Sequence, residues 1–457
     1  MNLVSGEAAL PARPNILWIV TTQWRGMALG CMGDPNACTP HLDGRAARGV
    51  NFTQAVTPHP FGPFARAALL TGVSSPANGV SNYFDMLPTG ARTVAHELRE
   101  RGYATAFFGK WGVGRRDPGA PLIGEAAAKV VVPPEARGGF EFWEGFEGGF
   151  RLNDPWMHGT CIEGIRRFFG YQSDVVGEHA AGWIRRQNPN AQTSGPGNSP
   201  PWFCVASLEA PHPPYDAPAA GVTARPGAEL ILRANVPQGG ETEERARREL
   251  AGYYAHLEAT DRAVGRLADA VEAAEEGEGR ASRIKTPRGR RGSVVVFTSV
   301  HGDMHGAHGL FRKGWPQEES VRVPLLVWRT PQRRSEEPGD GSTDETAVSL
   351  ADLPVMTLAW ADGADGPKPA VGVQRGGGSQ LAAKNSFARI SMPGVVALPH
   401  QCDRVWRGVR TPTRKVVLNP DGSPWLFFDL KNDPLEQRNL VGVPAQAVEM
   451  AELMRLV

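Results

Sequence analysis

The stretch from Thr57 to Gly72 reads Thr-Pro-His-Pro-Phe-Gly-Pro-Phe-Ala-Arg-Ala-Ala-Leu-Leu-Thr-Gly. Its first half is an irregular, proline-rich loop. From about Ala65 onward the residues favour a helix, and Gly72 is a typical helix stop. A loop that runs directly into a helix aims backbone N–H groups and the positive end of the helix dipole at whatever lies in front of it. The stretch therefore predicts an anion-binding site, to which Arg66 adds a positive charge.

Four apolar runs of strand length recur along the chain, at residues 15–20, 102–108, 202–208 and 293–298. Continuous apolar runs fit parallel strands that are buried on both faces. Segments that favour helices separate them, at residues 42–48, 93–101, 174–187 and 243–274. Open α/β folds place their sites on the loops at the carboxyl ends of such strands.

The remaining segments are expected to be less regular. Residues 115–160 are rich in glycine and proline and predict long surface loops, and residues 409–430 predict a meander of strands. Three polar or glycine-rich segments predict exposed connections with weak order: residues 188–201, 275–292 and 362–385.

The order of these segments and of their motifs resembles the sulfatase family of the alkaline phosphatase superfamily. The family signature is Cys or Ser-x-Pro-x-Arg, followed by a helix with Leu-Leu-Thr-Gly, and Arg66 and the helix end at Gly72 match it. Further motifs of the family recur as Pro14-Asn-Ile-Leu, Gly109-Lys-Trp, Pro211-His-Pro-Pro-Tyr, His301-Gly and a strand at residues 318–327. The resemblance extends from about residue 14 to about residue 440.

The resemblance implies a fold. We expect an α/β three-layer sandwich of the alkaline-phosphatase/sulfatase type, with a mostly parallel central sheet, at residues 14–385. A small C-terminal antiparallel α+β subdomain is expected at residues 386–457.

The functional positions that the resemblance implies have mostly changed. Counted back from Arg66, the position of the nucleophile, a Cys or Ser that becomes formylglycine, falls on Gly62. The position of a histidine that helps to hold the nucleophile falls on Gly112. Family positions for the metal ligands are Thr21, Thr22, Val300 and His301. Glycine cannot become formylglycine, and neither threonine nor valine supplies the carboxylate charge that Ca²⁺ or Mg²⁺ needs.

The cationic positions of the family are retained, at Arg66, Lys110, His212 and Lys313. In the family these groups bind the substrate anion and protonate the leaving oxygen. Carboxylates around an empty metal site repel one another, so their replacement by neutral residues relieves strain. Our leading hypothesis is a degenerate sulfatase that needs no cofactor, although the family uses Ca²⁺ or another divalent metal and formylglycine. Such a protein binds an anionic sulfate or phosphate ester without hydrolysing it.

Two alternatives remain open at this point, so the chain is not assigned as an enzyme. One is an active sulfuric-ester or phosphoester hydrolase with a non-standard site. Such a site would use a transition metal, for which histidine is a suitable ligand, or a threonine nucleophile (Thr57, Thr21 or Thr22). The candidate metal ligands are His301, Asp303, His305 and His308. Another alternative is a non-catalytic partner of an active paralogue or an oligomer.

Composition excludes some partners. The 457 residues carry a net charge of +1, which does not favour nucleic acid or membranes as partners. The five cysteines are scattered and odd in number, so a disulfide framework is not expected. Because the N-terminus also lacks a basic start followed by an apolar core, we expect a cytoplasmic protein.

Overall fold

Two separate sheets account for the strands of the computed structural model, which describes residues 13–187, 200–281, 292–330, 341–364, 386–396 and 398–457. Most of residues 188–201 and 362–385, and the second half of 275–292, lie outside these ranges. The strands are β1 Asn15–Thr21, β2 Val50–Phe52, β3 Ala104–Lys110, β4 Phe142–Phe146, β5 Trp156–Gly159, β6 Ile162–Arg167, β7 Trp202–Ser207, β8 Ser293–Ser299, β9 Leu325–Thr330, β10 Ser342–Asp344, β11 Ala388–Met392, β12 Trp406–Arg410, β13 Arg414–Leu418 and β14 Pro424–Asp429.

Helices lie on both faces of the larger sheet. They are α1 Pro40–Ala46, α2 Gly62–Thr71, α3 Val94–Glu100, α4 Glu125–Ala128, α5 Gln172–Gln187, α6 Glu241–Ala281, α7 Glu318–Val321, α8 Leu353–Ala361 and α9 Ala447–Met454. In the described part of the chain, no helix combines the length and the apolar character that a bilayer span requires.

The larger sheet has ten strands in the order β10-β2-β9-β8-β1-β7-β3-β4-β5-β6. Its centre, β8-β1-β7-β3-β4, is entirely parallel, and antiparallel pairs flank it on both sides. This confirms the predicted α/β fold with a mostly parallel central sheet. The four apolar runs are the core strands β1, β3, β7 and β8, as predicted.

Strand β1 shows why these runs are apolar at nearly every position. Ile16, Trp18 and Val20 join the core under α2, α3 and α8, whereas Leu17 and Ile19 join the core under α1, α5 and α6. Alternate side chains of a strand point to opposite faces. With a helical layer on each face, no position along β1 reaches water.

Three predicted elements differ from the structure. Residues 115–160 are not only loops: they contain α4, β4 and β5, and β4 pairs with β3. Residues 318–327 begin as the helical turn α7 before β9, because Pro324 separates the two. Helix α2 begins at Gly62 rather than near Ala65, with Pro63 in its first turn, where a missing N–H is tolerated.

The smaller sheet is the antiparallel meander β11-β12-β13-β14. It packs beside the loop before α2, because Ser391 N–H donates to the Pro58 carbonyl (2.8 Å). Trp406 Nε1–H likewise donates to the carbonyl of Gly314 (2.8 Å). The subdomain boundary expected after residue 385 stays a prediction, since residues 365–385 lie outside the described ranges.

All five cysteines are free, and Cys204 and Cys402 are buried. This agrees with the expectation that the chain has no disulfide framework. The cytoplasmic location stays a prediction.

Candidate active site

A cavity of about 670 Å³ opens at the carboxyl ends of the central parallel strands. Each of the five strands contributes a residue to its wall. These residues are Thr22 after β1, Lys110 at the end of β3, Glu147 after β4, His212 after β7 and His301 after β8. The topology therefore brings together side chains that are up to about two hundred and eighty residues apart, at the edge where open α/β sheets place their sites.

Helix α2 presents its first turn to this cavity. Gly62 is its first residue and lines the cavity together with Phe61 and Pro63. A Cβ atom built on Gly62 would have no atom within 4 Å. The position expected for a nucleophile thus faces open space, and the helix start aims its positive end into the cavity.

Arg66, one turn along α2, lies at the bottom of the cavity and is only 4 % exposed. Its Nη1 donates to the Lys110 carbonyl (3.1 Å) and to Ser207 Oγ (2.7 Å), and its Nη2 donates to Thr22 Oγ1 (2.8 Å). Burial lowers its pKa to about 10, so the guanidinium stays charged at neutral pH. Its Nε–H is buried and has no hydrogen-bond partner among the described residues.

Gly112, where the resemblance implies a histidine, is closely packed. Its φ is +67°, and a Cβ atom there would lie 2.7 Å from Arg66 Cδ and 3.0 Å from Arg66 Nε. The side chain of Arg66 therefore occupies the space into which a side chain at position 112 would project. A side chain at position 112 and the present position of Arg66 therefore exclude one another.

Lys110 has a carboxylate partner that sequence reasoning missed. Its Nζ donates to Glu209 Oε1 at 2.6 Å and lies 4.8 Å from the centre of the Phe150 ring. Glu209 is fully buried, and its second oxygen has no partner among the described residues. Burial lowers the pKa of Lys110, and Glu209 opposes that effect.

Lys313 lacks such a carboxylate contact. Its Nζ donates to Gln23 Oε1 and lies 3.0 Å from His212 Nε2. Burial, and the nearby charge of Lys110, lower its pKa to about 7. Lys313 therefore changes its charge near neutral pH unless an anion is bound beside it.

His212 is a neutral acceptor rather than a cation. Its Nδ1 contacts the Pro213 carbonyl (2.8 Å), so Nδ1 carries the proton and Nε2 accepts from Lys313. Burial and the two lysines hold the pKa of His212 well below its usual range. The Phe150 ring stacks on the imidazole with centroids 4.5 Å apart, which fixes its orientation.

His301 also lines the floor. Its Nδ1 contacts the Gly302 carbonyl (2.9 Å), and its buried Nε2 has no partner among the described residues. Burial and the charge of Lys313 hold its pKa well below the usual range.

The residues at the family's metal positions do not fit a Ca²⁺ or Mg²⁺ ion. Thr21 Oγ1 donates to the Thr298 carbonyl (3.1 Å), and Thr22 Oγ1 is held between the Leu208 carbonyl and Arg66. Val300 is fully buried in the apolar core. Only His301 keeps a free ligating atom, and it faces three cationic side chains. Hard divalent ions need several oxygen ligands with negative charge.

The four candidate transition-metal ligands do not converge either. His301 faces the cavity, whereas Asp303 accepts from Tyr215 Oη (2.7 Å) and from backbone N–H groups. The His305 ring packs against Tyr253, with centroids 4.4 Å apart. The structure therefore does not favour a metal bound by these four side chains.

His308 lies in a different cluster. Within the described ranges, the one group of three or more ligating side chains with atoms close enough to share a metal ion is His308, Glu319 and Glu436. Two cations already neutralise it, because Arg233 Nε lies 3.1 Å from Glu319 and Lys415 Nζ lies 2.7 Å from Glu436. We interpret this cluster as a buried ion-pair network.

Sequence analysis found the cations of the floor and missed the groups that position them. Glu209 and Gln23 could have been recognised as candidate site residues, since each is a polar residue just after a core strand. Phe150 had none, because it lies in a glycine-rich segment where the sequence predicts surface loops. Ser207 ends β7 and was taken as part of an apolar run.

Comparison with known proteins identifies the family. The family model described as Sulfatase matches residues 14–364. The chain therefore belongs to the sulfatase family, and the resemblance of its motifs is confirmed.

Relatives cover almost the whole chain. An ulvan-active sulfatase from Formosa agariphila is 30% identical over 442 residues, which cover 95% of this chain and 78% of the relative. An arylsulfatase from Clostridium perfringens is 27% identical, with 94% of this chain and 90% of the relative covered.

Solved structures show the same fold. A protein in complex with its substrate D-glucosamine-2-N,6-O-disulfate aligns with a TM-score of 0.70 at 20% identity, over 97% of this chain and 96% of that chain. The phosphonate monoester hydrolase of Agrobacterium radiobacter aligns with a TM-score of 0.61 at 19% identity, over 97% of this chain and 94% of that chain.

Proposed function

We propose that this sulfatase-family protein binds an anionic sulfate or phosphate ester and does not hydrolyse it. One observation carries the proposal. Three cations, Arg66, Lys110 and Lys313, converge on the cavity floor at the start of α2, and the position from which a nucleophile would act is Gly62. Among the described residues, Glu209 is the one carboxylate that forms an ion pair with any of these cations, and its partner is Lys110. The floor therefore has an excess of positive charge that an anion neutralises.

The side chains that line the described cavity offer no activated hydroxyl or thiol as a substitute nucleophile. They include no serine or cysteine. Thr22 Oγ1 donates to the Leu208 carbonyl and accepts from Arg66, so no base is placed to activate it. Burial raises the pKa of Tyr83, which disfavours its phenolate. Removing the nucleophile of a cooperative catalytic unit costs about 10⁶ in rate.

The contacts of the floor also support a site that works without a metal. Arg66 donates to Thr22 Oγ1, at a position where the family has a metal ligand, and Lys313 donates to Gln23 on the same loop. Side-chain cations therefore supply positive charge where the family uses a divalent ion. We propose that the protein binds its ligand without metal or formylglycine.

Calorimetry with sodium sulfate and turnover assays with 4-nitrophenyl sulfate and 4-nitrophenyl phosphate test the proposal. We expect sulfate to bind, with at least a tenfold loss of affinity in Lys110→Met, because a charged hydrogen bond to the anion is removed. Lys431→Met, at an exposed lysine outside the cavity, is the matched control and should bind sulfate like the native protein. We expect no turnover of either ester.

Two results would contradict the proposal. One is the absence of any heat or thermal stabilisation with sulfate. The other is turnover that disappears in His212→Ala, which would establish an active hydrolase with a non-standard site.

A further inference from the structure

The wall of the cavity above the charged floor is largely apolar. Three of its side chains are unusually open to solvent: Ile123 is 70% exposed, Val131 is 54% exposed and Val130 is 37% exposed. Leu122, Ala127, Leu398 and Pro399 continue this surface around the opening. Single exposed aliphatic side chains are common on protein surfaces, but a contiguous cluster of them at the mouth of a cavity indicates a binding surface.

This apolar mouth is held in place by the fold. Gly124 N–H donates to the Gly149 carbonyl (3.2 Å), and Ile123 forms a parallel bridge with Gly149. At the other end, Val132 N–H donates to His158 Nε2 (2.9 Å). The aliphatic side chains are therefore displayed by an anchored segment that includes α4.

Aromatic rings connect the mouth to the floor. Phe61 and Tyr83 pack edge to face with centroids 5.6 Å apart, and Phe150 lies between Lys110 and His212. All three rings line the cavity. A ligand whose anionic group contacts Lys110 would thus have its body against aromatic and aliphatic surface.

The polar side chains of the same wall are mostly engaged with protein groups. Arg116 pairs with Glu147 (2.8 Å), and Arg312 pairs with Glu249 (2.6 Å). Asp117 Oδ1 accepts from Gly119 N–H (2.8 Å). Apart from the exposed Arg115, few donors and acceptors of this wall remain for the hydroxyl groups of a sugar, and burying hydroxyls without partners is unfavourable.

We propose that the ligand is a sulfate or phosphate ester of a hydrophobic alcohol, with an aromatic or polycyclic body, rather than a sulfated sugar. This inference rests on the proposed function, because it assigns the anionic group to the same charged floor. A cavity of about 670 Å³ is in the range that accommodates a molecule of this size and is far larger than an inorganic anion requires.

Calorimetry with four probes tests the ligand class. They are sodium sulfate, 4-methylumbelliferyl sulfate, 4-methylumbelliferyl phosphate and glucosamine 6-sulfate. We expect the aryl sulfate to bind at least about tenfold more tightly than inorganic sulfate, since burial of one aromatic ring is worth that much. Glucosamine 6-sulfate should bind no more tightly than inorganic sulfate. The two aryl esters together determine which anionic group is preferred.

A double variant of the mouth tests the location. Ile123→Ser combined with Val131→Ser should reduce the preference for aryl over inorganic sulfate about fivefold, because apolar contact area is lost. Its matched control is Ile231→Ser combined with Val448→Ser, at aliphatic side chains of similar exposure that do not line the cavity. That control should keep the native preference.

The outcomes separate the two proposals. If sulfate binds but the sugar sulfate binds as tightly as the aryl sulfate, or the mouth variant behaves like its control, the ligand class proposed here is wrong and the proposed function stands. If none of the four probes binds, the proposed function itself is wrong.

Discussion

Two glycines at positions with expected catalytic roles behave in opposite ways. Gly62 faces open space, so a side chain there is compatible with the fold, whereas Gly112 lies against Arg66 with a positive φ. The structure would therefore accept a residue at the nucleophile position more readily than at the histidine position.

The first prediction compares Gly112→Ala with Gly62→Ala. We expect Gly112→Ala to lower the free energy of unfolding by about 2–4 kcal/mol, because left-handed backbone and a close contact with Arg66 both oppose a Cβ atom. Gly62→Ala should be neutral or up to about 1 kcal/mol more stable, because alanine favours a helix. Urea unfolding measures both.

A control separates the backbone effect from the contact. Gly221 has a φ of +77° and no atom within 4 Å of a built Cβ. Gly221→Ala therefore measures backbone strain alone, and we expect a loss of about 1 kcal/mol. If Gly112→Ala were no more destabilising than Gly221→Ala, the close packing of Arg66 against Gly112 would be contradicted.

At the scale of elements, buried ion pairs join the C-terminal sheet to the α/β layers. Lys415 on β13 is fully buried, and its Nζ lies 2.8 Å from Glu318 and 2.7 Å from Glu436. Arg410 on β12 pairs with the other oxygen of Glu318 (2.9 Å). Helix α7, which carries Glu318, was expected to be part of a strand. Its helical turn brings this carboxylate to the sheet.

The second prediction concerns this contact. Lys415→Met should lower the free energy of unfolding by about 3 kcal/mol or more, because Glu436 loses its cation while it stays buried. Lys431→Met, at an exposed lysine of the same subdomain, should change stability by less than about 0.5 kcal/mol. Equal urea midpoints for the two variants would show that the ion pairs do not hold the sheet in place.

At the scale of the whole molecule, the sheet brings together the cationic side chains that line the cavity. Lys313 is the member whose pKa, about 7, lies nearest to neutral pH. The charged and titratable groups that face it are Lys110, Asp303, Arg312, Glu209, His212 and His301. Both histidines stay neutral near pH 7 because their pKa values are held well below the usual range.

The third prediction is the pH dependence of sulfate affinity. An anion binds the protonated form of Lys313 and raises its pKa, so affinity is highest below pH 7. It should fall as pH rises above 7, by at most tenfold per pH unit, until the pKa of the bound form is reached. Calorimetry with sodium sulfate between pH 6 and 9 measures this change.

Lys313→Arg provides the control for this titration. Arginine keeps its charge throughout the range, so sulfate affinity should vary much less with pH in this variant. Sulfate itself does not titrate between pH 6 and 9, which is why it is preferred to phosphate here. Affinity that increased with pH in the native protein would contradict the role of Lys313.

Much of the fold followed from local patterns. In residues 15–20 every position after Asn15 is apolar, which fits a strand covered on both faces, and helix α2 ends at Thr71 with Gly72 as its C-cap, as expected. Segments with few apolar residues were less predictable. Strand β4 formed within residues 115–160 because β3 offered a parallel partner, which local sequence does not show.

The sequence by itself determined which groups are present: the cations Arg66, Lys110 and Lys313, and glycine where a nucleophile is expected. It did so because residue type decides what chemistry a position can support. Only the tertiary structure decided how these groups are used. Contacts across distant strands, such as Lys110 with Glu209 and Arg66 with Gly112, depend on where the sheet places each loop. Burial and neighbouring charge, which sequence position does not reveal, then determine the pKa of Lys313.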